Sequence, residues 1–81
     1  MKELYYNTKL LWGVFLDEDK GNYYIEVECG GVAMYSVRIP LNKEEVEMFN
    51  QKPENLNGLA YDIARNPEKF EKERSVNALK K

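Results

Sequence analysis

The chain has 81 residues, 43% of them hydrophobic and 32% charged, with 14 acidic side chains against 12 basic ones and a net charge of −2. That is the make-up of one small globular domain, residues 1–81, rather than of a disordered chain or one steered to nucleic acid by its charge. It contains no His and a single cysteine, Cys29, which removes the commonest general base and metal ligand, an internal disulfide and any multi-cysteine metal site.

The N-terminal residues Met1-Lys2-Glu3 lead into Tyr5, Tyr6, Asn7 and Lys9, which interrupt any signal-like apolar run. Residues 10–16 are the longest apolar stretch, far short of the about 20 residues that cross a bilayer. With a lone cysteine as well, the expectation is a cytoplasmic protein with no membrane partner.

Leu10-Leu11-Trp12-Gly13-Val14-Phe15-Leu16 is apolar on both faces, as in a strand covered on both sides. Trp12, Val14 and Phe15 favour a strand and Gly13 disfavours a helix. Leu4-Tyr5-Tyr6 either begins this strand or forms a fourth one, with Asn7-Thr8 marking a bend. Which face of residues 10–16 is buried stays open at this level.

Asp17-Glu18-Asp19-Lys20-Gly21-Asn22 is a polar turn in which Gly21 supplies the positive-φ residue. Its three carboxylates invite a cation site, but the alternating ligands and closing Glu of a calcium loop are absent, so no metal is expected. Tyr23, Ile25, Val27 and Cys29 then alternate with Tyr24, Glu26 and Glu28, the period of a half-buried strand. Gly30-Gly31 suits a hairpin turn. Ala33, Tyr35, Val37 and Ile39 alternate in turn with Val32, Met34, Ser36 and Arg38, until Pro40 closes the strand.

Leu41-Asn42-Lys43-Glu44-Glu45-Val46 carries the sharpest local signal. Asn42 and Glu45 have capping-box spacing, Leu41 and Val46 that of a hydrophobic staple, and Glu44 and Glu45 complement the helix dipole. That structural cause suffices for these acids without catalysis. The helix runs to about Gln51, with Val46 and Phe49 inward. After Lys52-Pro53-Glu54-Asn55, a second helix carries the stripe Leu56, Leu59, Ala60, Ile63 and Ala64. Asn66-Pro67 ends it and starts a short third helix anchored by Phe70, with Asn66 as its N-cap. Residues 75–81 are expected to fray.

The order β-β-β-α-α with short connections predicts a two-layer α+β domain. A three-stranded antiparallel meander, four-stranded if Leu4-Tyr5-Tyr6 joins it, carries two to three helices on one face. Cys29, on the inner face, is a structural thiol rather than a nucleophile. Gly30-Gly31 precedes a strand and lacks the Lys and Ser/Thr of a phosphate loop. No catalytic residue and no cofactor are therefore expected. Sheet tyrosines raise single-strand nucleic-acid binding, but the strands hold Glu26 and Glu28 against Arg38 alone, so no basic groove exists.

What remains is a protein-binding module. Asp17, Glu18 and Asp19 of the loop, with Tyr24, Glu26, Glu28, Met34 and Arg38 of the outer sheet face, are the candidate contact residues. Six Tyr and one Trp supply anchors, and the acids suit a basic partner. An apolar outer face is alternatively just a covered or half-covered back face. The alternative function is a homodimer or other small homo-oligomer pairing through a sheet edge or that face.

A Trp-bearing strand (Leu11-Trp12), a Tyr-rich strand (Asn22-Tyr23-Tyr24), the Pro-Leu-Asn-Lys-Glu-Glu helix entry and the Leu-Ala-X-X-Ile-Ala helix ending at Asn66-Pro67 together resemble small bacterial toxin-immunity proteins and similar accessory proteins. The likeness spans most of the chain and is one of element order, so no functional residue is carried over. It implies a cytoplasmic inhibitor that covers a toxin's active site or disables the toxin from elsewhere.

Overall fold

In the computed structural model, residues 1–29 and 35–75 are described. Four strands, β1 (Lys2–Asn7), β2 (Trp12–Asp17), β3 (Asn22–Cys29) and β4 (Tyr35–Pro40), form one antiparallel sheet in the order β1-β2-β3-β4. The helices α1 (Lys43–Gln51), α2 (Asn57–Arg65) and α3 (Pro67–Phe70) follow. A 3₁₀ turn at Pro53–Leu56 precedes α2, and a π-helical turn at Glu71–Ser75 extends α3. The domain is thus the expected α+β meander, with Leu4-Tyr5-Tyr6 realised inside a fourth strand. The turn expected at Gly30-Gly31, the positions Val32, Ala33 and Met34, and the tail beyond Ser75 lie outside the described residues. At the edge of that gap, Cys29 pairs with Tyr35.

The two N-terminal hairpins are built alike. In each, a four-residue connection links paired residues, Asn7 with Trp12 and Asp17 with Asn22. The Asn7 side chain accepts from the backbone N–H of Lys9 and Leu10, and Asp17 Oδ1 accepts from that of Asp19. The fourth loop residue donates back to the first strand, Leu11 to Asn7 and Gly21 to Asp17, and takes positive φ, 61° at Leu11 and 73° at Gly21. An Asx side chain closes such a turn, and a left-handed residue redirects the chain into the next strand. Leu10 and Leu11 therefore belong to the turn and not to the strand that their hydrophobicity suggests.

The register settles the phase of β2. Trp12, Val14 and Leu16 lie opposite Val27, Ile25 and Tyr23, while Gly13 and Phe15 lie opposite Glu26 and Tyr24. The first set turns toward the helices. Trp12, Val14, Ile25, Val27, Cys29, Val37 and Ile39 of the sheet pack with Leu56, Ala60 and Ile63 into one buried cluster. Tyr5, Tyr23, Leu41, Phe49, Leu59 and Phe70 pack around it. An aromatic row, Trp12 to Tyr5 at 5.3 Å and Tyr5 to Phe49 at 6.2 Å between ring centroids, ties β2 and β1 to α1.

The entry to α1 has the predicted form. Asn42 Oδ1 accepts from the Glu45 N–H at 2.8 Å, and Glu45 Oε1 accepts from the Asn42 N–H at 3.0 Å. The Leu41 N–H donates to the Tyr23 carbonyl, fixing this corner on β3. Asn66 does precede α3, but its side chain makes no capping hydrogen bond. Pro67, with its preset φ and no N–H to satisfy, starts this short helix without one.

Candidate functional site

All three helices pack on the side of Trp12 and Ile25, so among the described residues no helix covers the other side of the sheet. Register and alternation place Glu3, Tyr6, Gly13, Phe15, Asp17, Tyr24, Glu26, Glu28, Ser36 and Arg38 on that outer side. Tyr6, Phe15 and Tyr24 are half-buried rings among these, and Glu3, Asp17, Glu26 and Glu28 outnumber Arg38 around them. The surface therefore mixes rings and acids: Phe15 and Tyr24 are paired across the two inner strands, Tyr6 sits on the edge strand β1, and Glu26 and Glu28 follow Tyr24 along β3.

Two side-chain links order it. The Arg38 guanidinium reaches from β4 to Glu26 on β3, with Nη2 and Nε donating to Glu26 Oε1 at 2.9 and 3.2 Å. An exposed pair of this kind contributes about 0–1 kcal/mol, so its effect is on shape: it holds both long side chains flat across the strands. The second link crosses the whole of β2. Tyr6 on β1 lies over Gly13, and its hydroxyl donates to Glu28 Oε2 on β3 at 2.5 Å. Gly13 makes this possible, because a Cβ there would meet Tyr6 Cδ1 at 2.5 Å and the Tyr5 carbonyl at 2.6 Å. The hydrogen bond to the Glu28 carboxylate, then burial and the negative charge of Glu28, push the Tyr6 hydroxyl from 10.0 up to about 12.

Of the residues singled out from the sequence, Tyr24, Glu26, Glu28 and Arg38 come together on this face. Asp17 stands at its end, where β2 enters the turn, and Glu18 and Asp19 are exposed in that turn. Met34 lies outside the described residues. Trp12 is not available as a contact anchor: it is 1% exposed at the centre of the core. Tyr5 and Tyr23 likewise pack against the core. Tyr6, Phe15 and Gly13 are the members that sequence reading left unassigned. For Phe15 and Gly13 the signal is the length of the polar turn after Asp17, which fixes the parity of β2 against β3, whereas Tyr6 also needs the register of β1 on β2.

Among the described residues no group of three or more His, Cys, Asp or Glu side chains is placed to hold a metal. Glu45 is engaged in the helix cap, and Cys29 is buried with its thiol directed to the Val27 carbonyl. No helix among them is long and apolar enough to cross a membrane.

A second concave feature lies on the helical side. The turn before β2 and the length of α2 border a groove of about 400 Å³ lined by Leu10, Trp12, Asn57, Ala60, Tyr61 and Ala64. Two of these residues each hold a buried polar atom without a hydrogen-bond partner, Trp12 Nε1 and Asn57 Oδ1. Each such group costs about 1–3 kcal/mol when left unmet.

Comparison of the chain with protein-family models, with curated proteins and with solved structures finds no match in any of the three. The fold class therefore stands on its own topology: a two-layer α+β domain in which, among the described residues, helices cover one face of the sheet.

Proposed function

We propose that this chain is a non-enzymatic, cytoplasmic protein-interaction module that binds a basic partner surface through its outer sheet face and the acidic turn beside it. The observation that carries this reading is the layering. One face of the sheet is covered by helices, and the other presents Tyr6, Phe15 and Tyr24 interspersed with Glu3, Asp17, Glu26 and Glu28. Aromatic side chains are enriched among the anchors of protein contact surfaces. The negative charge speeds encounter with a positive partner and repels a nucleic-acid backbone. The specific form of this reading, drawn from the resemblance above, is an immunity-type inhibitor whose acidic face covers the basic active site of a toxin.

Self-association is the competing reading, and the edges of the sheet weigh against it. β1 is a short edge strand with Lys2 and Glu3 at its start and a register break between Glu3 and Tyr5. Such charges and irregularities hinder edge-to-edge pairing.

The test compares the wild-type chain with a variant carrying Glu18→Lys, Asp19→Lys and Tyr24→Ser, each immobilised and exposed to source-cell lysate at low and moderate salt. A stoichiometric protein held by the wild type, weakened by salt and lost from the variant supports the module. Equal capture by both chains, or a wild-type chain that is itself a salt-resistant dimer by light scattering, overturns it.

A further inference from the structure

Phe15 on β2 and Tyr24 on β3 are directly opposed, and Glu3 on β1 is opposed to Phe15 in turn. These side chains form one row across the outer face, with neighbouring Cβ atoms about 4.5–5.5 Å apart. Asp17 and Glu26 stand two residues along from Phe15 and Tyr24, the next positions on the same face, about 7 Å away. The ring pair therefore has a carboxylate as its sheet neighbour on three sides, and Pro40 of β4 opposes Tyr24 on the fourth. Glu26 is bonded to Arg38, whereas among the described residues Glu3 and Asp17 make no salt bridge.

A pair of rings bordered by carboxylates is matched to a cation. The ring quadrupole attracts a positive group lying within about 6 Å of the ring centre, and the acids add charge at the distance of a side chain's reach. Arginine fits this better than lysine. Its guanidinium is planar, weakly hydrated and able to stack on a ring while its N–H fork stays directed at a carboxylate. The domain uses the same contact within itself, where the Arg65 guanidinium lies 5.5 Å from the centre of the Tyr61 ring. We propose that the outer face anchors an arginine side chain of the partner, stacked on Phe15 and Tyr24 and paired with Glu3 and Asp17. The anchor rests on the outer-face reading and names the side chain which that face selects.

The probe is the blocked tripeptide acetyl-Gly-Arg-Gly-amide, compared with its lysine counterpart and with its citrulline counterpart, which keeps the shape and lacks the charge. Binding is followed through the ring resonances of the chain. The arginine probe is expected to shift Phe15 and Tyr24 saturably, and the citrulline probe to bind about tenfold more weakly, the combined effect of exposed cation–ring and ion-pair contacts. The lysine probe is expected to bind more weakly than arginine. Tyr61, whose ring Arg65 already faces, is the internal control and should stay unmoved. Glu3→Gln, at an exposed position of the edge strand, is expected to weaken arginine about threefold and to leave citrulline unchanged. Equal binding of the arginine and citrulline probes overturns the anchor, as do shifts at Tyr61 with Phe15 and Tyr24 unmoved. Equal binding of arginine and lysine overturns the choice of guanidinium. A stoichiometric lysate partner on the outer face, with arginine and citrulline probes indistinguishable, overturns this anchor and leaves the outer-face reading intact. Failure of that reading shows separately, as equal lysate capture by the wild-type and variant chains.

Discussion

Tyr6 and Glu28 lie two strands apart, and the Tyr6 hydroxyl reaches the Glu28 carboxylate by passing over Gly13. This link spans β1, β2 and β3 on the outer face, so it fastens the edge strand to the centre of the sheet. Its energetics are readable from pH. The folded chain holds the Tyr6 proton more tightly than the unfolded one, about 12 against 10.0. The contribution is therefore complete below about pH 10 and is lost as pH rises toward 12. Tyr6→Phe is expected to lower stability by about 1 kcal/mol at neutral pH, below the about 1.5–3 kcal/mol of a buried hydrogen bond to a charged group, because the pair is only part-buried and Glu28 rehydrates. Denaturant unfolding across the alkaline range checks this: the difference between wild type and variant should shrink as pH rises through that window, and a constant difference would contradict it.

Gly13→Ala attacks the same link from below. The new methyl group cannot share its space with the Tyr6 ring and the Tyr5 carbonyl, so β1 or the ring must move. The expected loss is about 1–3 kcal/mol, as for overpacking elsewhere. The Tyr6 hydroxyl should also titrate closer to the ordinary tyrosine value, which an ultraviolet difference titration measures against Tyr6→Phe. Wild-type stability in Gly13→Ala would show that the close crossing is absent.

The twin turns give opposite predictions at equivalent positions. Gly21→Ala places a side chain at φ 73° with no neighbour within 4 Å, so its cost is backbone strain alone, about 1 kcal/mol. Leu11 already occupies the left-handed region, at φ 61° and 38% exposed. Leu11→Gly should relieve that strain and raise stability by up to about 1 kcal/mol, less whatever packing the leucine provides. Thermal unfolding of the two variants should move in opposite directions.

Those turns also show how far sequence reading reaches. The Asn42–Glu45 box and the stripe Leu56, Ala60, Ile63 were legible because a cap and a helix face are set by residues three or four positions apart. Asp17 and Gly21 announced their turn by residue type. Asn7 and Leu11 form the same turn, but no glycine marks its left-handed position, so Leu10 and Leu11 read as strand. Phase was the harder quantity. Residues 10–16 are apolar at every position but Gly13, and alternation cannot assign a face when both sets are apolar. Pairing with β3 assigns it, sending Trp12 to the core and Phe15 outward. The outer face was accordingly half legible: Tyr24, Glu26, Glu28 and Arg38 follow from alternation in β3 and β4, whereas Tyr6 and Phe15 depend on two registers. The groove was not legible, since Leu10 and Trp12 come to line one surface with α2 only through tertiary packing.

Which face meets the partner is the central claim, and rings accessible in part or in full on both sides of the domain make it measurable. Hydroxyl-radical footprinting of the chain, alone and in the complex captured from lysate, reads each ring separately. Phe15 and Tyr24 on the outer face should lose reactivity in the complex, while Tyr61 on α2, 64% exposed on the opposite side, should keep it. Protection of Tyr61 and Met48 with Phe15 and Tyr24 unchanged would place the partner on the helices and contradict the account.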